Sequence, residues 1–304
     1  MPPDPRWRVI VNPASGRPDG GAGWRAIEAA LRSAGVKLDV VHTEQPGHGG
    51  ELAQAALLEG CRHIAVAGGD GSVNEVVQGV MSAGLADTRE VTLAVIPTGT
   101  GNDWARTLGI TRRPADIARA MAGGRTMLHD VGAIDLPDRD PSRRWFINVA
   151  GAGYDAYVTE RVPRPVPSAL TYLGIALEGL ARYRAPHFRI TADGETVEGP
   201  LLLAFVANAQ YCGNRMHVVP TARTDDGRLD VLAVRELSLL AVWPKLVKLY
   251  TGRILGDRAV RHLRAQRVRI ETEPPAMIQA DGQIVGKTPA EFSLLPQALR
   301  VVLP

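Results

Sequence analysis

The stretch IAVAGGDGSVNE, residues 64–75, joins a short apolar run to a glycine-rich turn and then to a helical pattern. The apolar run predicts a buried strand, and the periodicity from Val73 to Ser82 predicts a helix. Glycines at such a junction allow positive φ and a close approach of the backbone to a ligand. Ser72 and Glu75 have the spacing of a capping box, and the helix N-terminus would present free N–H groups to a phosphate. A tight strand-to-helix turn without a ligand is the alternative interpretation.

Two other loops have the same character. NPASGR, residues 12–17, and PTGTGND, residues 97–103, each follow a predicted strand and are rich in glycine and hydroxyl groups. In a parallel sheet the carboxyl ends of the strands lie at one edge, where ligands bind. We therefore expect the three loops to converge on one phosphate site. It is not the usual P-loop, because no Gly-Lys-Ser/Thr follows the glycines.

Two acids lie within these loops. Asp70 and Asp103 would repel a phosphate unless a cation lay between them, and Mg²⁺ held by one or two carboxylates and the phosphates resolves the conflict. The hydroxyls of Ser15, Thr98 and Thr100 could hydrogen-bond phosphate oxygens. For Asp103 a plain helix N-terminal charge is the alternative.

Outside these loops, the chain has two regions with different sequence patterns. Strands and helices alternate over the first 130 residues, which predicts right-handed β-α-β units and a parallel, doubly wound sheet. After Asp130, strands separated by turns predict an antiparallel β domain, with a hairpin at Asp193-Gly194. The expected strands are Trp145–Val149, His187–Thr191, Leu201–Asn208, Leu229–Arg235, Val268–Glu271 and Met277–Ala280. Two helices are expected there, Ser168–Tyr183 and Leu239–Gly252.

Composition excludes several classes of protein. The chain has 304 residues, enough for two domains, and a net charge of +3. Only Cys61 and Cys212 are present, at no motif spacing, so a disulfide framework or zinc site is not expected and a reducing cytosol is the default. The N-terminus has no signal-like apolar run, and the longest uncharged stretch, which begins at residue 199, is too short to span a bilayer.

Some features have both a structural and a functional interpretation. The basic stretch 245–269 is either a solvated face or a surface that meets anionic lipid heads. The proline-rich and apolar stretch 162–186 is either a buried helix or an interfacial one. Four histidines are expected to be structural and two tryptophans to be core residues: His129, His187, His217, His262, Trp145 and Trp243.

Seven motifs together resemble the diacylglycerol kinase catalytic domain, whose family includes sphingosine and ceramide kinases and bacterial diacylglycerol kinase-like lipid kinases. They run in the order of the family from Val9 to about Gly286. The motifs lie at residues 12–16, 68–75, 97–103, 130–132, 148–155, 226–230 and 279–282.

The resemblance implies a fold, two domains and an activity. Residues 1–130, with a C-terminal return at 290–304, would form an ATP-binding α/β domain like those of NAD kinases and phosphofructokinases. Residues 131–289 would form an antiparallel β-sandwich domain for the lipid substrate, with a nucleotide cleft between the two. The implied reaction is transfer of the γ-phosphate of MgATP to the hydroxyl of a diacylglycerol-like lipid. Two alternatives are an NAD kinase-like phosphotransferase on a soluble nucleotide and a weakly active or non-catalytic lipid-binding relative.

The resemblance also implies site residues. Asp70 and Asp103 would hold the catalytic Mg²⁺. A structural metal would be bound by Asp226 with the backbone carbonyls of Arg223 and Arg228. The expected nucleotide-binding residues are Asn12, Pro13, Ala14, Ser15, Gly16, Arg17, Thr43, Gly68, Gly69, Asp70, Gly71, Ser72, Asn74, Thr98, Gly99, Thr100 and Asn102.

One position departs from the pattern of the family. Gln283 stands where many bacterial relatives carry a glutamate that is proposed to accept the proton of the lipid hydroxyl, and glutamine cannot act as a base. Asp70, the equivalent of the base in sphingosine kinases, and Asp281 are the two remaining candidates. The expected partners are ATP and a membrane lipid, with no nucleic acid and with a homodimer left open. The expected location is the cytoplasm, with peripheral attachment to the inner face of the membrane.

Overall fold

The structure, a computed structural model, describes residues 6–16, 22–163, 169–237 and 239–304. It divides into two compact units. The N-terminal unit runs to Val131 and takes in Leu295–Pro304, and the C-terminal unit is Gly132–Leu294. Arg17 and Ser168, both named above, lie outside the described residues, as do Pro165 and Pro167 of the stretch 162–186.

The N-terminal unit alternates strands and helices. Its elements are β1 (Arg6–Val11), α1 (Ala22–Ser33), β2 (Lys37–His42), α2 (His48–Leu58), β3 (His63–Gly68), α3 (Asp70–Met81), β4 (Thr92–Pro97), α4 (Asp103–Thr107), α5 (Pro114–Gly123) and the first part of β5 (Thr126–Asp135).

The strands of this unit form a parallel sheet. β1 lies between β2 and β3, β3 pairs with β4, and Arg300 and Val301 near the C-terminus pair in parallel with β4. Alternate residues of β1, among them Val9 and Val11, pack against α1 and α5. Ile10 of the same strand points to the opposite face and is also buried. Burial of both faces is what a doubly wound sheet requires, and the predicted α/β fold is confirmed.

The C-terminal unit is mainly antiparallel. Its elements are β6 (Arg143–Phe146), β7 (Val149–Gly153), α6 (Tyr154–Arg161), α7 (Ala169–Arg182), β8 (His187–Ala192), β9 (Glu195–Ala207), β10 (Tyr211–Cys212), β11 (Met216–His217), β12 (Leu229–Arg235), α8 (Leu239–Tyr250), β13 (Val260–Ala265), β14 (Arg267–Glu273), β15 (Met277–Ala280), β16 (Gln283–Lys287) and β17 (Ala290–Val302), whose end belongs to the N-terminal unit.

The long strand β9 connects two sheets. Its first half pairs with β8 and its second half with β7 and β12, all antiparallel. Phe188 and Ile270 from one sheet share a core with Val206 and Val231 from the other, which confirms the predicted sandwich. The hairpin is also confirmed: Asp193 (φ 47°) and Gly194 (φ 94°) join β8 to β9 with the two positive φ values of a type I′ turn.

Several elements were not predicted. α6 and β16 had no assignment, and the single strand expected at Trp145–Val149 is two strands, β6 and β7. β13 was interpreted only as part of a basic stretch, although Leu263 and Ala265 alternate there with exposed arginines. Arginine is compatible with a strand when every second residue is exposed.

The basic stretch 245–269 is mostly neutralised by acids. Lys245 and Lys248 bind Asp257, Arg261 binds Glu195, Arg264 binds Asp226, and Arg269 binds Glu271 and Glu291. The solvated-face interpretation therefore fits most of this stretch.

The two tryptophans differ. Trp145 is buried as predicted, whereas the core prediction for Trp243 is wrong, because 52% of that residue is exposed on α8. Of the helices that the structure describes, none combines the length and the apolar character needed to cross a bilayer.

Candidate active site

The loops that follow β1, β3 and β4 touch one another. The hydroxyl of Ser15 lies 2.7 Å from that of Thr98, and Asn12 Nδ2 donates to Ser72 Oγ at 2.8 Å. The backbone N–H of Thr98 donates to the carbonyl oxygen of Gly68 at 3.1 Å. The structure therefore brings together the three loops that the sequence analysis expected to converge.

Glycines make this approach sterically feasible. A Cβ added at Gly99 would lie 2.4 Å from Gly69 Cα, so two backbones pass each other with no room for a side chain. At Gly16, with φ +101°, an added Cβ would lie 2.8 Å from the carbonyl oxygen of Thr98. Gly99 is needed because there is no space for a side chain, and Gly16 is needed for space and for its positive φ.

Asp70 ties two of the loops together. Its Oδ2 accepts the backbone N–H of Asp103 and its Oδ1 accepts that of Trp104, each at 3.1 Å. The side chain at the start of α3 therefore caps the N-terminus of α4. Sequence spacing could not show this contact, because 33 residues separate Asp70 from Asp103.

The predicted capping box of Ser72 and Glu75 is wrong. α3 begins at Asp70, so Ser72 already lies inside the first turn and its hydroxyl accepts from Asn12. The Glu75 carboxylate accepts the backbone N–H groups of Gly47 and Gly49 at the start of α2, at 2.9 and 3.2 Å. Both side chains bind partners distant in sequence rather than the helix they begin.

The carboxylates of Asp70 and Asp103 border the same small space. A Cβ added at Gly101 would lie 3.0 Å from Asp70 Oδ2 and 3.9 Å from Asp103 Oδ2. Two carboxylates beside phosphate-binding loops suit Mg²⁺, which takes one or two protein carboxylates and completes its shell with phosphate and water oxygens. Within the described residues no group of three or more His, Cys, Asp or Glu side chains could hold a metal without such help.

Some of the other predicted nucleotide-binding residues lie at the loops, and others lie elsewhere on the same unit. Thr43 follows β2, where its N–H donates to Val11 O at 2.9 Å, so it lies at the same sheet edge as the loops. Asn102 (φ 52°) donates from Nδ2 to Gly99 O at 2.9 Å and shapes the third loop. Asn74 is instead buried along α3, where it accepts from Gln78 Nε2 at 3.4 Å. Pro13, Ala14, Gly16 and Thr100 are exposed on the loops, and Gly71 is half-buried in the first turn of α3.

Two supports of the third loop were missed. The Arg112 guanidinium donates from Nη2 to the carbonyl oxygens of Gly99 and Thr100. Behind α4, Trp104 Nε1 donates to His129 Nε2 at 2.9 Å. The His129 prediction as a structural residue fits this buried contact. No spacing rule would have paired these residues, because each joins the loop to another element.

Asp281 in the C-terminal unit is a buried anchor. Its carboxylate accepts three consecutive backbone N–H groups, from Ile147 at 3.0 Å, Asn148 at 3.0 Å and Val149 at 3.1 Å. These bonds take up the backbone N–H groups at the junction where β6 ends and β7 begins. The neighbouring Gln283 is half-buried at the start of β16.

A second acid lies close to this anchor. Asp155 Oδ2 accepts from Gln279 Nε2 at 2.8 Å, and Gln279 Oε1 accepts from the N–H of Gly282 at 2.8 Å. Asp155 Oδ1 is shielded from solvent and has no side-chain partner among the residues that the structure describes. Burial, only partly offset by the bond from Gln279, raises the pKa of Asp155 to about 7.

In the predicted metal loop, the side chain of Asp226 is in contact with Arg264. Asp226 accepts the N–H of Arg228 at 3.1 Å, and the guanidinium of Arg264 contacts the other carboxylate oxygen. Arg223 pairs with Asp225 at 3.2 Å. Arg264 therefore already balances the charge of Asp226, and this donor set does not fit a dication as it stands. The ligand role of Asp226, Arg223 and Arg228 stays a prediction.

Comparison with known families accounts for nearly the whole chain. Residues 6–134 match the model of the diacylglycerol kinase catalytic domain. Residues 148–303 match that of the YegS C-terminal NAD kinase beta sandwich-like domain.

Curated relatives align over most of their length. The diacylglycerol kinase of Mycobacterium tuberculosis H37Rv is 33% identical and that of Bacillus subtilis 30% identical, with 97% and 98% of this chain and 94% and 96% of the relatives covered. A Pseudomonas aeruginosa protein named "Probable lipid kinase YegS-like" is 31% identical over 92% of this chain and 89% of its own.

Solved structures agree with the fold. A crystal structure of a Bacillus anthracis protein superposes with a TM-score of 0.79 at 26% identity, covering 98% of this chain and 97% of the other. The crystal structure of a diacylglycerol kinase from the same organism gives a TM-score of 0.74 at 24% identity. With two family models and full-length relatives in agreement, this chain belongs to the family of diacylglycerol kinases and YegS-like lipid kinases, and it is a kinase.

Proposed function

We propose that the protein transfers the γ-phosphate of MgATP to the hydroxyl of a membrane lipid of the diacylglycerol type. The observation that carries this proposal is the meeting of the loops after β1, β3 and β4, with the carboxylates of Asp70 and Asp103 beside them. The names of the relatives, diacylglycerol kinase and lipid kinase, support the class of acceptor.

The loops offer several groups to a triphosphate. The first N–H groups of α3 have no partner within the helix, and the hydroxyls of Ser15 and Thr98 lie beside them. Asp70 and Asp103 would hold Mg²⁺, which when bound neutralises phosphate charge and orients the γ-phosphate. The glycines at 69 and 99 let the backbones of the second and third loops approach each other closely.

In the transfer, the lipid hydroxyl oxygen forms a bond to the γ-phosphorus, the bond to the β–γ bridging oxygen breaks, and ADP leaves. The hydroxyl proton needs an acceptor, and Gln283 cannot serve. Asp70 is the better candidate, because it is half-buried at the loops, whereas Asp281 is buried and bound by three N–H groups. We assign the proton to Asp70.

The substrate class implies peripheral attachment to a membrane. A diacylglycerol-like acceptor stays in the bilayer, so the enzyme must work at the lipid surface. The apolar α7, of which Ile175 and Leu180 pack on the sheet that contains Leu203 and Phe205, is suited to line an acyl site.

The proposal is tested with γ-labelled ATP and two acceptors, lipid extract and NAD, with and without EDTA. We expect label in a lipid only when Mg²⁺ is present, with loss of transfer in Asp103→Asn. Label in NADP alone would replace the lipid kinase proposal by the NAD kinase-like one. Absence of transfer to either acceptor, with ATP binding retained, would indicate a non-catalytic relative.

A further inference from the structure

The outer face of α8 presents three large apolar side chains to solvent. Trp243, Val247 and Tyr250 are 52%, 63% and 57% exposed. Their spacing of four and three residues places them in one stripe along the helix. Among the described residues only one other large hydrophobic side chain is so exposed, that of Leu58 in the N-terminal unit. Single exposed apolar residues are ordinary, but an apolar stripe indicates a binding surface.

The stripe is held in place from the inner side of α8. Leu249 packs against the core of the unit. Lys245 and Lys248 both bind the buried carboxylate of Asp257, at 2.9 and 2.6 Å. The bond from Lys248, followed by the backbone N–H of Ala259, keeps the pKa of Asp257 well below its usual range. Because these contacts anchor the helix, the exposed face is a fixed surface rather than a frayed one.

Unpaired positive charge surrounds this anchor. Arg235, Arg253 and Arg258 are exposed and form no ion pair with any residue that the structure describes. Arg253 N–H bonds to Lys248 O, and Arg235 N–H bonds to Ala259 O, beside the Asp257 turn. Glu236 is the exposed acid next to Arg235, so the local balance stays positive.

Tryptophan and tyrosine around an aliphatic residue, with exposed arginines at the Asp257 turn that anchors the same helix, match the boundary between lipid heads and acyl chains. A second copy of the chain is a poorer occupant, because it would bring the same arginines to the same contact. We propose that the face of α8 formed by Trp243, Val247 and Tyr250 docks the protein on an anionic membrane. This rests on the proposed function, since it says how the kinase reaches a lipid acceptor.

The test compares three purified proteins in sedimentation with vesicles. They are the wild type, the triple variant Trp243→Ala/Val247→Ala/Tyr250→Ala, and the control Leu58→Ala, which also removes an exposed apolar side chain. With equimolar phosphatidylcholine and phosphatidylglycerol we expect the triple variant to bind roughly tenfold or more weakly and the control to bind like the wild type. Equal binding of all three would overturn the proposal.

The arginines give a second arm. Arg253→Ala/Arg258→Ala should weaken binding to the anionic vesicles and change binding to pure phosphatidylcholine little, and added salt should reduce the difference. No loss on anionic vesicles would overturn the electrostatic part of the proposal. If the wild type is a dimer without lipid, the triple variant is monomeric and vesicle binding is unchanged, the face is a protein interface and the proposal is wrong.

Phosphorylation of a short-chain diacylglycerol dispersed below its aggregation limit separates docking from chemistry. The triple variant should match the wild type on this acceptor and fall behind it on vesicle-borne lipid. If neither protein phosphorylates any lipid while vesicle binding still depends on the stripe, docking stands and the proposed function falls. If both phosphorylate vesicle-borne lipid equally, docking by α8 is refuted and the function stands.

Discussion

Two aspartates, Asp70 in the N-terminal unit and Asp281 in the C-terminal unit, form the same kind of hydrogen bond but have different roles. In each, one carboxylate accepts consecutive backbone N–H groups, two at Asp70 and three at Asp281. Asp70 is half-buried among glycines, whereas Asp281 is buried at the junction of β6 and β7.

The difference shows how one residue type becomes either a reactive or a structural group. Glycines around Asp70 leave space for a ligand next to the carboxylate. Around Asp281 three backbone N–H groups bind the carboxylate, whereas at Asp155 burial outweighs the hydrogen bonds and raises the pKa. Four substitutions can break or sharpen this comparison.

The largest effect is expected from Asp70→Asn. Loss of the proton acceptor should lower kcat by about 10³-fold, while loss of one of two N–H contacts should lower the free energy of unfolding by only about 1 kcal/mol. Steady-state kinetics and urea unfolding measure the two effects. Full activity in this variant would remove Asp70 from the chemistry and leave Asp281 as the candidate.

Gly99→Ala should act through the loops alone. The new Cβ would meet Gly69 Cα at 2.4 Å, so the second and third loops must separate. We expect kcat/KM to fall by about 10²-fold, as for a displacement of roughly 1 Å at a positioned site. Gly123→Ala, at the end of α5 with nothing near its added Cβ, is the matched control and should keep wild-type kinetics. Equal kinetics of the two variants would show that the loops do not hold the nucleotide.

For Asp281→Asn we expect the opposite of Asp70→Asn, namely a larger loss of stability and a smaller loss of kcat. An amide oxygen cannot replace a carboxylate that accepts three buried N–H groups, so the free energy of unfolding should fall by about 2–3 kcal/mol. At a temperature where the variant is folded, its kcat should stay within about tenfold of wild type, well short of the loss of a general base. A loss of kcat as large as that of Asp70→Asn, without loss of stability, would contradict the assignment of Asp281 as an anchor.

Asp155→Asn should change the pH dependence of stability. The folded state keeps the Asp155 proton up to about pH 7, while the unfolded state releases it near the ordinary aspartate pKa of 3.8. Stability is therefore highest below the unfolded pKa and falls as pH rises toward 7, by at most about 1.4 kcal/mol per pH unit. Urea unfolding at several pH values should show a smaller slope in the variant, since asparagine mimics the protonated acid. An unchanged slope would mean that Asp155 does not titrate in this range.

Much of the fold could be predicted because local patterns carry it. β12 and β15 begin and end as predicted, and the Asp193-Gly194 turn is determined by two residues that tolerate positive φ. α6 and β16 were missed because tertiary contacts, not periodicity, stabilise them. The sequence pattern placed the glycine loops, yet it could not show that Arg112 holds the third loop or that Arg264 contacts Asp226.

The sequence by itself determined the parallel domain, the sandwich and the three glycine loops, because strand periodicity and the need of tight turns for glycine are local properties. Only the tertiary structure decided what each polar side chain binds. Ser72 and Glu75 have the spacing of a capping box but form hydrogen bonds with residues of other elements. Trp243 is of a residue type that usually lies in a core, but its side chain faces solvent. A hydrogen bond or a buried surface depends on where other segments lie, which spacing along one chain does not specify.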